Sequence, residues 1–316
     1  MIILAGIGFE LRKLIKKDDK LSYIKTYLFS SIVTIGPTVL CIMLITFFQI
    51  LMLQQNVKIA TREFYMAATM YCFIFSIIIV GVFNMPLSRY VSDLIFEKKR
   101  EKILPSMFGT IIACIVLGGV ICVSFLWGVN CTFLEKLLIY LLFVVLIIIW
   151  VEMIFISAID DYKSVIRGFS IGVSIGVITA LILTIMNVFK ISYVLFFSNV
   201  LTFTIIAISF MITLLKILNF SIKYNYFEFI KSIDKHKKLI ITSFLLTLSV
   251  YTHNFVFWFS EVGITVKQVL HFAPNYDIAT FFAFLSVMPS LVIFVVSMET
   301  SFYTGFKRYL SKIENG

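Results

Sequence analysis

The sequence predicts an all-α, polytopic membrane helix bundle with about eight transmembrane helices. Hydrophobic residues make up 60% of the 316 residues and charged residues only 14%, whereas soluble domains are roughly 45–50% apolar and about 25% charged. The mean hydropathy is +1.03. The apolar residues are concentrated in blocks of about 20, the length that a helix needs to cross a hydrocarbon core about 30 Å thick. An integral membrane protein is therefore the predicted class.

Eight apolar blocks predict the spans. They lie near residues 26–53, 65–85, 107–127, 134–157, 166–187, 192–216, 239–259 and 278–298. With this assignment, 22 of the 27 Lys and Arg residues fall on one side of the membrane and 5 on the other. Loops rich in positive charge stay in the cytoplasm. We therefore expect a multi-pass protein of the cytoplasmic membrane with both termini cytoplasmic, and the unbroken alternation of charge supports the number of spans.

The first 25 residues predict an amphipathic helix on the inner leaflet rather than a signal peptide. A signal peptide carries its charge before its apolar region, but here the basic residues follow the short apolar run MIILAGIGF. On a helix, one face would collect the apolar side chains of Ile3, Ile7, Leu11, Leu14 and Ile15. The basic residues between 12 and 17 lie mostly away from that face.

Composition argues against several classes of function. The net charge of +10 lies in short loops between apolar blocks, so it reflects topology and not a nucleic-acid partner. Four of the five cysteines fall inside apolar blocks, without a CxxC pair or a Cys/His cluster, which argues against a disulfide framework or a zinc site. A Walker A motif is also missing from the sequence. We expect no cofactor, no metal and no enzymatic activity.

Glu152 is the main candidate for a residue in a substrate or ion pathway. It lies in IIIWVEMIFISAIDD, one to two turns before the cytoplasmic end of the fourth span. An ionisable side chain inside a bilayer is costly and is a functional hypothesis by default. Glu152 could bind a cation, a proton or a sugar amine; the alternative is an interfacial carboxylate paired with a neighbouring Lys or Arg. Asp160 and Asp161 are predicted to lie in a solvated loop.

The first span is predicted to bend at Gly36 and Pro37, because proline removes one helix hydrogen bond and clashes with the preceding turn. Polar and small residues recur on one face there: Ser30, Thr34, Thr38 and Cys41. A bend beside a polar stripe suits a helix that lines a cavity during alternating access. A static kink is the alternative.

Further candidates lie near the ends of spans. Asn84 and Arg89 flank Pro86 at the inner end of span two, where Arg89 would hold an inner gate, contact a headgroup, or simply snorkel to the interface. Glu299 has a similar position after span eight. His253 and Asn254 lie towards the outer end of span seven.

Two spans carry patterns that favour contacts between helices. The face shared by Ser243, Thr247, Tyr251 and Asn254 would either line a hydrophilic path or hydrogen-bond to a neighbouring helix. Gly168, Gly172 and Gly176 are spaced by four, which favours close helix packing in span five.

Four segments resemble one known family. They are AGIGFELRKL at 5–14, SSIVTIGPTVL at 30–40, SRYVSDLIFEKKREKILPSMFG at 88–109 and METSFYTGFKRY at 298–309. They are similar to segments of the Pel exopolysaccharide transporter family (PelG-type), which belongs to the multidrug/oligosaccharidyl-lipid/polysaccharide flippase superfamily. The resemblance implies transport of an exopolysaccharide or its precursor by alternating access. It also implies a cytoplasmic glycosyltransferase and other Pel membrane proteins as partners.

The resemblance implies a flippase with twelve spans in two six-helix halves. It therefore also implies that about four C-terminal spans are missing from this chain. The expected units are an N-terminal segment at 1–25, a six-helix bundle at 26–216, a cytoplasmic linker at 217–238, the first two helices of the second bundle at 239–298, and a cytoplasmic C-terminal segment at 299–316. The alternatives are a flippase for lipid-linked oligosaccharides, an acyltransferase that uses His253 and Asn254, and a scaffold subunit of a polysaccharide synthesis complex.

Overall fold

The computed structural model describes residues 20–159, 161–218, 224–235, 237–298 and 302–314. Nearly all of these residues are helical. In chain order the elements are α1 (Lys20–Gln54), α2 (Ile59–Phe96), a 3-10 turn (Arg100–Lys102), α3 (Ile103–Gly128), α4 (Phe133–Ile159), α5 (Tyr162–Met186), α6 (Ile191–Ile217), α7 (Glu228–Lys235), α8 (Lys237–Trp258), β1 (Ile264–Val266), β2 (Leu270–Phe272), α9 (Pro274–Ser297) and α10 (Tyr303–Glu314).

Eight of these helices, α1 to α6 with α8 and α9, are long and apolar enough to cross a membrane. The predicted all-α polytopic bundle is thus confirmed. The largest difference is in α2, which has 38 residues and would extend for about 57 Å at 1.5 Å per residue. The segment after Pro86 was expected to leave the helix but continues it to Phe96. Basic and aromatic composition alone did not distinguish a helical extension from a loop.

Other expected segments are described only in part. The predicted N-terminal amphipathic helix falls almost wholly in residues 1–19, outside the described residues. The predicted linker contains the short helix α7, and the predicted C-terminal segment contains α10. The proposed division of the chain into two bundles stays a prediction.

The centre of the bundle is built from α4, α5 and α6. Helix α6 packs against both α4 and α5, while α2 and α3 pack against α4 and α1 packs against α5. The last two spans pack on the first two, α8 on α2 and α9 on α1. The chain therefore brings its seventh and eighth spans onto its second and first.

Three glycines allow α5 to approach α6 closely. A Cβ atom at Gly172 would lie 2.5 Å from Cγ1 of Ile206, and one at Gly168 would lie 2.8 Å from the ring of Phe210. At Gly176 it would overlap the hydroxyl of Thr202. The predicted packing role of the three glycines is confirmed, since a larger side chain at any of them would clash with α6 unless the facing side chain or the helix itself shifts.

One end of the bundle, here named the basic end, carries residues 97–102, 228–235 and 237–238. There Lys102 forms an ion pair with Glu228 at 2.6 Å, and Tyr224 donates a hydrogen bond to Glu101 at 3.4 Å. The carbonyl of Tyr226 lies so close to Gly109 that a Cβ atom would not fit between them. The segment at 224–235 is therefore docked on the start of α3.

A short β-hairpin lies at the opposite end of the bundle. Strands β1 and β2 pair antiparallel, with Ile264 opposite Phe272 and Val266 opposite Leu270. Lys267 and Gln268 in the turn have φ values of 50° and 75°, a region that residues other than glycine enter infrequently. The turn contains no Gly, Asn or Asp, the residues that usually indicate a hairpin in a sequence. For this reason the sequence did not predict the hairpin.

We expect Gly176→Leu to destabilise the bundle by about 1–3 kcal/mol, the usual cost of overpacking a well-packed interface. Thermal unfolding of the purified protein in detergent measures this as a lower midpoint. Ser174→Leu is the matched control, because Ser174 lies on the same helix but is exposed. An equal shift for both variants would contradict the assigned interface.

Candidate functional site

Two carboxylates are buried within the membrane-spanning helices that the structure describes, and they differ in their surroundings. Glu152 in α4 is 0% exposed and Asp277 in α9 is 7% exposed. Removing a charged group from water is costly unless partners compensate for the lost hydration. Their hydrogen-bond partners therefore indicate what each carboxylate can do.

Neither carboxylate oxygen of Glu152 accepts a hydrogen bond from the described residues. The ion pairs found in the same residues join Lys99 to Glu97 and Lys102 to Glu228, so the predicted alternative of an interfacial pair for Glu152 is not seen among them. Nearby on α4, the indole of Trp150 is anchored to α2 by a 2.9 Å bond to the Ser76 hydroxyl. Glu152 thus has both acceptor atoms available on a helix held firmly by its neighbours.

Asp277 has several partners and was missed in the sequence. Its carboxylate accepts hydrogen bonds from Asn254 at 3.0 Å and from the indole of Trp258 at 3.2 Å. It also accepts one from the backbone N–H of Ala273 at 3.3 Å, which caps the start of its own helix. Asp277 therefore joins the end of α8 to the start of α9. Its position just after a helix-starting proline was the available signal.

Aromatic side chains surround this polar contact and connect it to α2. Trp258 stacks on Tyr71 with ring centroids 4.7 Å apart. The Tyr71 hydroxyl donates to the carbonyl of His271 and accepts from its backbone N–H, both at 3.0 Å. The hairpin and the adjoining ends of α8 and α9 are in this way attached to α2 at the end opposite the basic end.

The structure places His253 and Asn254 beside this cluster. A ring nitrogen of His253 lies 3.1 Å from the hydroxyl of Tyr276, whereas Asn254 is directed to Asp277. The two neighbouring side chains therefore have different partners, both on α9. Glu299, the remaining candidate near this part of the chain, lies outside the described residues.

The candidates on α1 do not share one environment. Helix α1 continues through Gly36 and Pro37. Pro37 is buried, Thr34 is half-buried and Thr38 is exposed. The Thr34 hydroxyl is enclosed and lacks a hydrogen-bond partner among the described residues. The predicted polar face is therefore divided between the interior and the surface of the bundle.

Near Asn84, Ser243 forms a bond between helices, which is one of the two alternatives predicted for its face, although the partner on α2 was not predicted. The Ser243 hydroxyl on α8 donates to the carbonyl of Gly81 at 2.5 Å and accepts from the N–H of Met85 at 3.2 Å. In a regular α-helix these two backbone groups bond to each other. Pro86 follows at once. Side chains that insert at such points accompany bends in helices.

The two remaining candidates on α2 lie on either side of Pro86. Asn84 is half-buried, and its side-chain carbonyl oxygen is enclosed without a partner among the described residues. Arg89 is exposed. Ser243 and Thr247 of the predicted polar face of span seven both approach Gly81, so that part of the face contacts α2.

Within the described part of the chain, no three His, Cys, Asp or Glu side chains cluster as a metal site would require. Chemistry at this site therefore has to be argued from single residues, with Glu152 as the buried carboxylate that lacks partners and Asp277 as the one that has them.

We expect Asp277→Asn to lower the stability of the α8–α9 junction by about 1–3 kcal/mol, because either orientation of the amide directs its NH₂ group at a donor. Thermal unfolding in detergent measures the change. Glu261→Gln serves as control, since Glu261 is exposed in the nearby loop. Equal midpoints for Asp277→Asn and the wild type would contradict the assigned hydrogen bonds.

Comparison with known proteins gives one match. The model of the PelG family, described as "Putative exopolysaccharide Exporter (EPS-E)", matches residues 4–316. No curated protein and no solved structure matches the chain. Since the match extends over nearly the whole sequence, it confirms the resemblance predicted from the N-terminal and loop motifs. The chain belongs to the PelG family.

Proposed function

We propose that this protein moves an exopolysaccharide, or a precursor of one, across the cytoplasmic membrane by alternating access. The family match and the eight apolar helices support a membrane transporter. The finer proposal concerns how the bundle changes shape, which residue couples transport to an ion, and which substrate it takes.

The observation that carries the proposal is the distribution of prolines. Three helices have a proline in their interior: Pro37 in α1, Pro86 in α2 and Pro289 in α9. These helices lie where the last two spans meet the first two, since α8 packs on α2 and α9 on α1. The sequences of α4, α5 and α6 contain no proline. Proline weakens a helix locally, so the spans that can bend surround a stiffer central group.

The contact at Ser243 supports a bend that is reversible. Its hydroxyl contacts both the Gly81 carbonyl and the Met85 N–H, so these two groups just before Pro86 keep a partner if the backbone bond between them opens. In hydrocarbon an unsatisfied backbone group costs several kcal/mol. A hydroxyl that exchanges with the direct backbone bond would let α2 straighten or bend at low cost while α8 stays in contact.

Glu152 is the proposed coupling residue. A buried carboxylate without a partner is stabilised by a bound proton, a metal cation or an amine. The other buried carboxylate, Asp277, already accepts bonds from three groups. Glu152 therefore has the free acceptor capacity that coupling requires, whereas Asp277 has a structural role.

The charges favour an amino-sugar polymer over a lipid-linked pyrophosphate. Concentrated negative charge on a pyrophosphate would favour Lys or Arg within the path. Among the described spans, the Lys and Arg residues lie near helix ends, as in Arg62, Lys136 and Lys216. The polarity of the interior is neutral or acidic, which suits a substrate with neutral and cationic groups.

We expect the basic end to face the cytoplasm, where a glycosyltransferase would deliver the polymer, because positively charged loops are retained there. A reporter that is active only in the cytoplasm should be active when it is fused after residue 316. A reporter that is active only after export should be active when it is inserted in the turn at 267–268. The opposite pattern of activity would reverse the proposed orientation.

Export itself is tested in a strain that lacks the gene, with the chain supplied in trans and secreted polymer measured by lectin binding. We expect the wild-type chain to restore secretion. A strain that makes polymer inside the cell and secretes as much without the chain as with it would contradict the transporter proposal.

In the same assay we expect Glu152→Gln to remove the dependence of export on the proton or sodium gradient and to reduce the rate at least tenfold. Selective ionophores measure the dependence. Glu97→Gln is the control, because Glu97 is exposed at the basic end. Unchanged ion dependence in Glu152→Gln would rule out coupling at this residue and leave the export proposal standing.

A further inference from the structure

A cavity of about 80 Å³ lies between α2, α3, α4 and the hairpin. Among the residues that line it are Ala68 and Cys72 of α2, Cys122 and Leu126 of α3, and Leu270 of β2. All of its exposed lining atoms are apolar. Tyr71 of the aromatic cluster also lines it, but none of the candidate pathway residues does, and the proposed transport cycle does not use it.

An apolar cavity of this kind does not hold water, because a buried water needs two to four polar partners. Apolar cavities in proteins instead stay dry or take up hydrocarbon. For a helix bundle in a membrane, the hydrocarbon at hand is the acyl chain of a surrounding lipid.

The cavity adjoins the outer surface of α3. Its lining includes Ile121, which is 55% exposed, and its neighbours Val120 and Val123 are exposed as well. These side chains form an apolar face of the kind that contacts lipid. Along α3 the lining runs from Ile121 to Val129, just beyond the helix end, a distance of about 12 Å at 1.5 Å per residue. An acyl chain could therefore enter from the side.

Two lysines lie at the end of the cavity that faces the hairpin. The Lys136 ammonium donates to the carbonyl of Trp127 at 3.5 Å, and the carbonyl of Lys267 accepts from the N–H of Asn130 at 3.3 Å. Trp127 and Asn130 are next in sequence to Leu126 and Val129, which line the cavity. Both lysines are thus attached to the chain segment that lines it. They belong to the small group of basic residues away from the basic end.

Both lysines lie close enough to Cys131 to affect its thiol. Burial raises the pKa of the Cys131 thiol and the carboxylate of Glu135 raises it further, while Lys136 and Lys267 both oppose the increase. Glu135 is the acidic group at this corner, and its carboxylate already accepts bonds from Thr132 and Ser192. The Lys267 ammonium lies 5.6 Å from the centre of the Phe64 ring. This corner therefore carries two positive charges near Cys131 and one carboxylate whose acceptor oxygens are already in use.

We propose that this corner binds one phospholipid with an anionic headgroup, its acyl chain in the cavity and its phosphate between Lys136 and Lys267. Lysines near a membrane surface favour anionic lipids. The apolar lining selects for hydrocarbon and the two lysines select for net negative charge. A zwitterionic phospholipid has an acyl chain but no net charge, and free phosphate has charge but no hydrocarbon, so neither satisfies both parts of the site.

Native mass spectrometry of the purified protein tests the headgroup. The protein is equilibrated with equal amounts of phosphatidylglycerol and phosphatidylcholine and then stripped with detergent. We expect one phosphatidylglycerol to be retained preferentially. Lys136→Gln and Lys267→Gln should each weaken this retention about fivefold, and Lys190→Gln, which changes a lysine at the start of α6, should not. Equal retention of both lipids, or equal effects of all three variants, would overturn the headgroup assignment.

The acyl chain is tested by filling the cavity. Cys122→Trp should abolish the preferential retention, whereas Val116→Trp, on the exposed face of the same helix, should preserve it. Retention by Cys122→Trp at the wild-type level would place the chain elsewhere and overturn the proposal.

A measurement on the unmodified protein covers the case in which Cys122→Trp fails to fold. Phosphatidylglycerol should slow the alkylation of Cys122 by N-ethylmaleimide at least fivefold relative to Cys41 in α1. No selective protection, or equal protection by inorganic phosphate, would show that lipid does not occupy the cavity.

Discussion

In hydrocarbon, every backbone N–H and C=O group must find a partner within the protein, and this constraint underlies the arrangement of the whole chain. It makes the eight spans helical regardless of local propensity. It also makes those positions important at which a helix lacks one of its own backbone hydrogen bonds. Pro86 removes a donor from α2, and the hydroxyl of Ser243 bridges the adjacent backbone groups.

The same constraint separates the polar side chains into two kinds. Asp277 has donors on three sides and holds α8, α9 and the hairpin together. Glu152 has none among the described residues. A polar group whose bonds are all made stabilises a single arrangement, whereas one without partners changes state when it gains a proton, a cation or an amine. We therefore propose the functional role for Glu152, the carboxylate that contributes least to the fold.

The bundle is also uneven in stiffness. Close contacts at Gly172 and Gly176 join α5 to α6, and α4 completes a group without proline. The helices α1, α2 and α9 each contain a proline in their interior. The apolar cavity and its two lysines lie away from these prolines, beneath the hairpin. Lipid binding there would add hydrocarbon contacts to a corner where protein packing is incomplete.

The sequence alone determined the class, the number of spans, the close packing at the glycines of α5 and the position of a carboxylate, Glu152, inside a span. These features follow from hydropathy, spacing and charge, which are local properties of the chain. It did not reveal the partners of Asp277, the insertion of Ser243 beside Pro86, or the hairpin whose turn lacks Gly and Asn. These features depend on which helices become neighbours. The packing of α8 on α2 and of α9 on α1 depends on how well helix surfaces fit that are far apart in the sequence. Only the tertiary structure shows this fit.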